Sequence, residues 1–215
     1  MKLVRKSLNE QLYDQLRQDI IEGKIGFGEK LINRELQQKF GVSSTPVRDA
    51  INRLFLDGLL EDITNSGAKV ITFDLQFILE VNEVLTLLSC AAVECTAKRA
   101  DQADQAELCA QLEELLLAQE HHSGTDEYYR YDFLFHQSFF CHCQNRQYQN
   151  AYSRYRVLLE MLFRRFYDFM SNHKDSTEQH RQILHFYRLG DIDQAVKQMK
   201  AHFLYAEQLF RQYMG

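Results

Sequence analysis

Proline occurs once in this 215-residue sequence, and glycine occurs nine times. Because proline breaks helices and glycine weakens them, this scarcity allows long, uninterrupted helices. Apolar residues recur mainly at intervals of three and four, and long alternating apolar stretches do not occur. The sequence therefore predicts a mostly α-helical protein. No continuous apolar run is long enough to span a bilayer, so no membrane association is expected.

The single proline helps to define the organisation of residues 1–73. Three short helices are expected, and Pro46 lies in the first turn of the third, where a missing N–H is tolerated. Two apolar runs follow, residues 59–64 and 69–73, separated by the turn-forming Asn65-Ser66-Gly67. Helix, helix, tight turn, helix and hairpin is the order of a winged helix-turn-helix with a small β-hairpin wing.

The third of these helices carries a polar set at its start. Val47 and Ile51 belong to its apolar stripe, whereas Thr45, Arg48 and Asn52 lie together beside that stripe and face outward. Such residues at a helix start contact base edges and phosphates in a major groove. The alternative is an ordinary solvent-exposed face. The near-balanced charge of this part of the chain, eleven Lys and Arg against ten Asp and Glu, permits DNA binding although the whole chain carries −5.

Residues 74–215 predict an all-helical bundle that forms the second domain. Gly190 separates the last two helices, which must therefore run antiparallel. Ser176 and Gln179 have the spacing of a capping box at the start of the fifth helix. The six helices are expected at about residues 75–99, 102–120, 126–143, 146–170, 177–189 and 191–213.

Four polar residues of this bundle fall on apolar helix faces: Asp132, His136, His180 and His202. His180 precedes Gly190 by ten residues and His202 follows it by twelve, so antiparallel helices bring the two level. A buried, unpaired carboxylate is unfavourable, and a divalent transition metal would satisfy all four groups. The alternative is that the histidines are hydrogen-bonded core residues.

The N-terminal region resembles the GntR family of transcription regulators. The resemblance centres on Phe40-Gly-Val-Ser-Ser-Thr-Pro-Val-Arg-Asp-Ala50, within residues 31–57. It implies a homodimer whose N-terminal domain binds double-stranded operator DNA, with Arg34 and Arg48 as contacts. Ser44 stands where members commonly have a further arginine, which leaves the operator sequence open. The residues expected to contact DNA are Arg34, Ser44, Thr45, Arg48, Asn52, Gly67 and Lys69.

The helical region resembles the FCD effector domain in its shorter, VanR-like form with six helices. The matching residues are Asp132-x-x-Phe135-His136, Asn145, His180, Gly190-Asp191 and His202. The resemblance implies that Asp132, His136, His180 and His202 hold a metal ion, zinc or nickel. It also implies a small effector, such as a carboxylate or sugar acid, that completes the coordination.

This chain departs from the FCD pattern in the expected effector pocket. Leu85 and Ser89 occupy the places where an arginine and a glutamate are usual. The effector is then less anionic, or Arg154 or Arg156 replaces the missing arginine. The expected pocket residues are Leu85, Ser89, Asn145, Arg154 and Arg156.

Three classes of function remain possible from the sequence. The first is a cytoplasmic homodimeric repressor, in which an effector at the metal site alters the spacing of two DNA-binding heads. The second is a metal-dependent hydrolase, although Glu178 is two helix positions from His180 and points elsewhere, which leaves no evident general base. The third is an interaction bundle with histidines in its core. Five cysteines without regular spacing are expected to be free thiols.

Overall fold

The computed structural model describes residues 6–165 and 174–214. Its contacts divide the chain into two compact units, Met1–Phe73 and Asp74–Gly215. The end of the fourth expected helix, residues 166–170 of the range 146–170, lies outside the described residues.

The first unit is a winged helix-turn-helix. Its strands form one antiparallel sheet in the order β1-β3-β2. The hairpin wing was predicted, but β1 was not, because three residues are too few to show an alternating pattern. The elements are α1 (Leu8–Ile21), β1 (Lys30–Ile32), α2 (Asn33–Phe40), α3 (Ser44–Leu56), β2 (Leu60–Thr64) and β3 (Gly67–Val70).

The core of the first unit lies between α1 and α3, which pack against each other. Leu16 of α1 and Leu54 of α3 are fully buried. A capping box starts α1, in which the Ser7 hydroxyl accepts from the Glu10 N–H and the Glu10 carboxylate accepts from the Ser7 N–H. This packing holds α3 with its N-terminal residues Ser44, Thr45 and Arg48 exposed.

The tip of the wing is fixed to the start of α2. The Asn33 backbone N–H donates to the Ser66 carbonyl at 2.8 Å, and its side-chain amide donates to the Asn65 carbonyl at 3.0 Å. Gly67 passes under β1 so closely that a Cβ atom there would lie 1.9 Å from the Leu31 carbonyl oxygen. The wing is therefore tied to the helix-turn-helix by contacts that need both asparagine and glycine.

The second unit is a bundle that contains six helices among its described residues. Helix α4 packs against α6, α7 and α9, while α8 packs against α5 and α9. Gly190, in the left-handed conformation, makes the turn between α8 and α9. The helices are α4 (Leu75–Arg99), α5 (Gln102–His121), α6 (Asp126–His142), α7 (Arg146–Arg165), α8 (Lys174–Arg188) and α9 (Ile192–Met214).

Helix α4 contacts three other helices of the bundle, α6, α7 and α9. Its Asn82 side chain donates to the Phe203 carbonyl of α9 at 3.1 Å, and its Thr96 hydroxyl donates to the Phe139 carbonyl of α6 at 3.0 Å. By length and composition α4 is apolar enough to cross a membrane, and it is the one such helix in the described part of the chain. The sequence prediction missed this because its apolar residues do not form one continuous run. Its contacts show that it is a core helix of the bundle.

Candidate metal centre

Four buried side chains converge in the helical unit. Asp132 and His136 come from α6, His180 from α8 and His202 from α9. One nitrogen or oxygen atom of each lies within 4.8 Å of the corresponding atoms of the other three. Asp132 and His136 are four residues apart and so share one side of α6. The Gly190 turn brings His180 and His202 to the same level, with ring centroids 4.5 Å apart, as predicted from their positions.

The three imidazoles present the same ring nitrogen to a common point. The Nε2 atom of His136 lies 3.1 Å from that of His202 and 3.2 Å from that of His180. The Oδ1 atom of Asp132 lies 3.7 Å from His180 Nε2. Nitrogen ligands at about 2.0–2.1 Å from a tetrahedral zinc ion are about 3.3 Å apart. These separations therefore fit one divalent ion bound by three nitrogens and one oxygen.

Two glutamines hold the outer sides of two histidines. The Nδ1 atom of His180 lies 3.1 Å from Gln119 Oε1, and that of His202 lies 3.0 Å from Gln179 Oε1. Because an amide oxygen only accepts, each Nδ1 must carry the proton and each Nε2 keeps a free lone pair. This is the tautomer that a metal ligand needs.

The carboxylate has its own partners. The Gln119 side-chain amide donates to Asp132 Oδ1 at 3.1 Å, and the Ser176 hydroxyl donates to the same oxygen at 3.2 Å. Gln119 thus joins Asp132 to His180. His136 differs from the other histidines, since its buried Nδ1 atom has no hydrogen-bond partner among the described residues.

Burial shifts the pKa values of all four groups toward their neutral forms. The pKa of His202 falls to about 4, and the pKa values of His136 and His180 fall well below 6.5, with neighbouring histidines adding to the effect of burial. Burial raises the pKa of Asp132 to about 7, although hydrogen bonds from Ser176 and Gln119 act in the opposite direction. The histidines are therefore neutral at neutral pH, and a divalent cation would stabilise the buried carboxylate.

The outer residues of this site were missed or misinterpreted from the sequence. Gln119 extends the apolar face of α5 that contains Leu112 and Leu116, so a polar residue on an apolar face was the available signal. Ser176 and Gln179 were predicted to form a capping box. Both lie inside α8 instead, where their side chains bind Asp132 and His202.

The expected effector-pocket residues differ in their burial and in their partners. Leu85 and Ser89 are buried in α4, and the Ser89 hydroxyl has no partner among the described residues. Asn145 caps α7, where its side-chain oxygen accepts from the Gln147 N–H at 3.0 Å. Arg154 is exposed to solvent. Arg156 forms an ion pair with Glu160 of its own helix at 3.7 Å.

The expected DNA-contacting residues of the helix-turn-helix fall into two groups, apart from those of the wing. Arg34, Ser44 and Arg48 line one groove together with Asn65 and Ser66 of the wing. Neither arginine forms an ion pair with any residue that the structure describes. Thr45 and Asn52 are exposed on the same helix, α3.

The wing residues are placed differently. Lys69 is paired with Glu61 at 2.6 Å and with Asp62 at 3.5 Å, so its charge is already balanced within the wing. Gly67 is buried against Leu31. A role for these two residues in DNA binding stays a prediction.

A winged helix-turn-helix with exposed arginines at the recognition helix, joined to a separate helical unit, defines a DNA-binding regulator. Comparison with known families identifies the family of regulators to which the chain belongs. Residues 8–70 match the family of bacterial regulatory proteins called gntR, and residues 80–204, more than half of the chain, match the FCD domain. The chain belongs to the GntR family and is a helix-turn-helix transcription regulator with an FCD domain, as the sequence resemblance predicted.

Individual relatives agree with this assignment. An uncharacterised HTH-type transcriptional regulator of Bacillus subtilis, YdhC, is 29% identical over 90% of this chain and 86% of its own length. The HTH-type transcriptional repressor RspR of Escherichia coli is 29% identical over 60% of this chain and 57% of its own length. These relatives are regulators and not enzymes, which rules against the hydrolase alternative.

Solved structures show the same fold. Escherichia coli McbR/YncC superposes with a TM-score of 0.73 at 21% identity, over 97% of this chain and 100% of that one. A GntR regulator from Rhodococcus sp. RHA1 gives a TM-score of 0.72 at 20% identity, over 97% of this chain and 99% of that one.

Proposed function

We propose that this protein is a cytoplasmic, homodimeric repressor whose operator affinity is set by a metal ion and a small effector bound in the helical unit. The observation that carries the proposal is the convergence of three histidine Nε2 atoms and the Asp132 carboxylate at one buried point. The winged helix-turn-helix supplies the DNA-binding surface, and the FCD unit supplies the regulatory site.

On the DNA side, Arg34 and Arg48 are the main contacts. Both guanidinium groups are exposed and line one groove with Ser44. A guanidinium binds a phosphate or a guanine edge with two parallel hydrogen bonds, and the exposed hydroxyl of Thr45 and the amide of Asn52 add contacts along the same helix. Binding through these groups would be sequence-specific and sensitive to salt.

On the regulatory side, Asp132, His136, His180 and His202 hold a divalent transition metal, zinc or nickel. The neutral histidines, with their Nε2 lone pairs directed to one point, suit either ion. When bound, the metal would act as a Lewis acid that coordinates an oxygen atom of the effector.

The effector is a small carboxylate or sugar acid that reaches the centre from the side of α4. This helix contacts both α6 and α9, which carry three of the four ligands. Ser89 and His136 each keep one buried polar atom without a partner among the described residues, so both can bind a polar ligand. Leu85 supplies no charge where an arginine is usual. Arg154 is exposed to solvent, and Arg156 is paired with Glu160. The metal ion itself would therefore provide the positive charge for a carboxylate.

The homodimer uses the groove between α4 and α9. Leu87 of α4 and Leu204 of α9 are 64% and 52% exposed in this groove. The α4 side carries Glu80 and Glu83, and the α9 side carries Lys200 beside Arg211 and Glu207, which pair with each other at 2.8 Å and leave Lys200 as the uncompensated charge among the described residues of that side. A two-fold axis would place α4 of each copy against α9 of the other, so that acidic and basic groups face each other around the leucines.

A gel-shift titration of the protein against its own upstream DNA tests the proposal. We expect specific retardation that changes when the metal is removed with a chelator, because a regulatory ligand must bind one state more tightly than the other. Elemental analysis of the same preparation should give about one transition metal per chain. Retardation that is the same with and without metal, or a metal-free protein, would contradict the regulatory role of the centre.

A further inference from the structure

We infer that Gln119 is a positioning residue that sets the tautomer of His180 and the orientation of Asp132 at the same time. Gln119 lies on α5, which supplies none of the four candidate ligands. The inference rests on the proposed metal centre, but the hydrogen bonds that carry it exist without a metal ion.

The side chain of Gln119 is fully buried, and both of its polar atoms are used within the site. Its Oε1 atom accepts the Nδ1 proton of His180 at 3.1 Å, and its Nε2 atom donates to Asp132 Oδ1 at 3.1 Å. A carboxylate in this place would accept but not donate, and an apolar side chain would do neither. An amide of this length donates to one ligand and accepts from the other while it stays neutral beside a buried carboxylate.

The two other histidines provide an internal comparison. Gln179 holds the Nδ1 atom of His202 at 3.0 Å, so His202 is fixed by a separate glutamine. The Nδ1 atom of His136 has no partner among the described residues. Loss of Gln119 should consequently affect His180 and Asp132 and leave the tautomer of His202 unchanged.

Gln119 also joins α5 to a site whose ligands come from α6, α8 and α9. The next residue, Glu120, forms an ion pair with Arg181 of α8, which directly follows His180. Glu113 and Arg188 make a second pair between the same helices at 2.9 Å. Metal binding at His180 is therefore linked through Gln119 to the contact between α5 and α8.

The test uses nitrogen NMR of chelator-treated, full-length protein labelled at histidine, with Gln119→Met as the main variant. Gln111→Met is the matched control, because Gln111 lies on the same helix but contacts the surface residue His142 at 3.3 Å. We expect His180 to change from the Nδ1–H tautomer to a mixture in Gln119→Met, while His202 and the control keep their wild-type signals. Gln119→Glu, which restores the acceptor, should return His180 to the Nδ1–H form.

Metal affinity gives the second measurement, by zinc competition against a chromophoric chelator. Loss of an outer partner of a metal-bound histidine weakens binding about 10–100-fold, so we expect a decrease in that range for Gln119→Met and no change for Gln111→Met. An unchanged His180 tautomer in Gln119→Met would overturn the inference. So would unchanged zinc affinity in this variant when the wild type binds zinc. If the wild type binds no metal, the proposed centre is wrong, and the tautomer measurement alone decides the role of Gln119.

Discussion

The Nε2 atoms of His136 and His202 lie 3.1 Å apart, although 66 positions separate the two residues in the chain. Two neutral imidazoles gain at most one hydrogen bond from this arrangement, and a third, His180, places its Nε2 atom 3.2 Å from His136. One metal ion bound between the three Nε2 atoms would explain why all three imidazoles face the same point.

Removal of the metal should destabilise the protein. An ion that binds only the folded state adds about 4 kcal/mol of stability when its free concentration is a thousandfold above Kd. We therefore expect added zinc to raise the melting temperature of chelator-treated wild type, and His202→Ala to abolish this response. His142→Ala is the control, because this histidine lies outside the site. An equal zinc response in His202→Ala and wild type would show that His202 is not a ligand.

Arg48→Ala should abolish operator binding at physiological salt, leave only weak binding at low salt, and keep the fold intact. The side chain is exposed and has no ion pair with a described residue, so its removal does not disturb the core. If Arg48 contacts a phosphate, the dependence of log K on log salt should also fall by about one unit. Gel-shift titrations at several salt concentrations, with circular dichroism to check folding, measure both effects. Arg130→Ala on α6 is the control, and unchanged affinity in Arg48→Ala would remove this residue from the interface.

The features that could be predicted from the sequence depend on patterns within a few helical turns. The start of α3 was predictable because a helix tolerates a proline such as Pro46 mainly in its first turn. The level placement of His180 and His202 followed from their distances to Gly190 along two antiparallel helices, and the observed ring separation of 4.5 Å agrees with it.

The features that escaped prediction depend on which distant side chains meet. Gln119 was a polar residue on an apolar face, but only the packing of α5 against α6 and α8 shows that it joins Asp132 to His180. Ser176 and Gln179 had the spacing of a helix cap, and tertiary contacts gave them other partners. Lys69 was expected to contact DNA as part of the wing, yet the antiparallel pairing of β2 and β3 places it opposite Glu61.

Lys69→Ala should weaken operator binding less than Arg48→Ala does. The Lys69 ammonium is already paired with Glu61 at 2.6 Å and Asp62 at 3.5 Å, so it would have to leave these carboxylates to contact a phosphate directly. Glu61→Gln should do the opposite and tighten binding, since it removes a negative charge and releases Lys69. Salt-dependent gel-shift titrations distinguish these cases. A Lys69→Ala variant as weak as Arg48→Ala would mean that Lys69 leaves its wing partners to contact DNA.

Gly67→Ala should destabilise the wing. Its Cβ atom would lie 1.9 Å from the Leu31 carbonyl oxygen, which is backbone and cannot move without breaking the pairing of β1 with β3. We expect a loss of about 1–3 kcal/mol in the free energy of unfolding, together with weaker operator binding. Gly26→Ala is the matched control, because a Cβ there makes only ordinary contact, 3.7 Å from a Glu29 carboxylate oxygen. Equal stability of the two variants in urea titrations would contradict the close approach at Gly67.

If the proposed homodimer forms through the groove between α4 and α9, Leu87→Glu should convert it to a monomer. Leu87 lies in the groove between α4 and α9, where an added carboxylate would join Glu80 and Glu83 and would be buried against Leu204 of a second copy. A buried, unpaired charge is unfavourable, so we expect a monomer in sedimentation velocity and a loss of cooperative binding to a two-half-site operator. Leu117→Glu is the matched control, because Leu117 on α5 is 62% exposed, close to the 64% of Leu87, but does not line this groove. If Leu117→Glu dissociates the dimer and Leu87→Glu does not, the interface lies on the α5 side of the bundle, and the acidic and basic groups of α4 and α9 have another purpose.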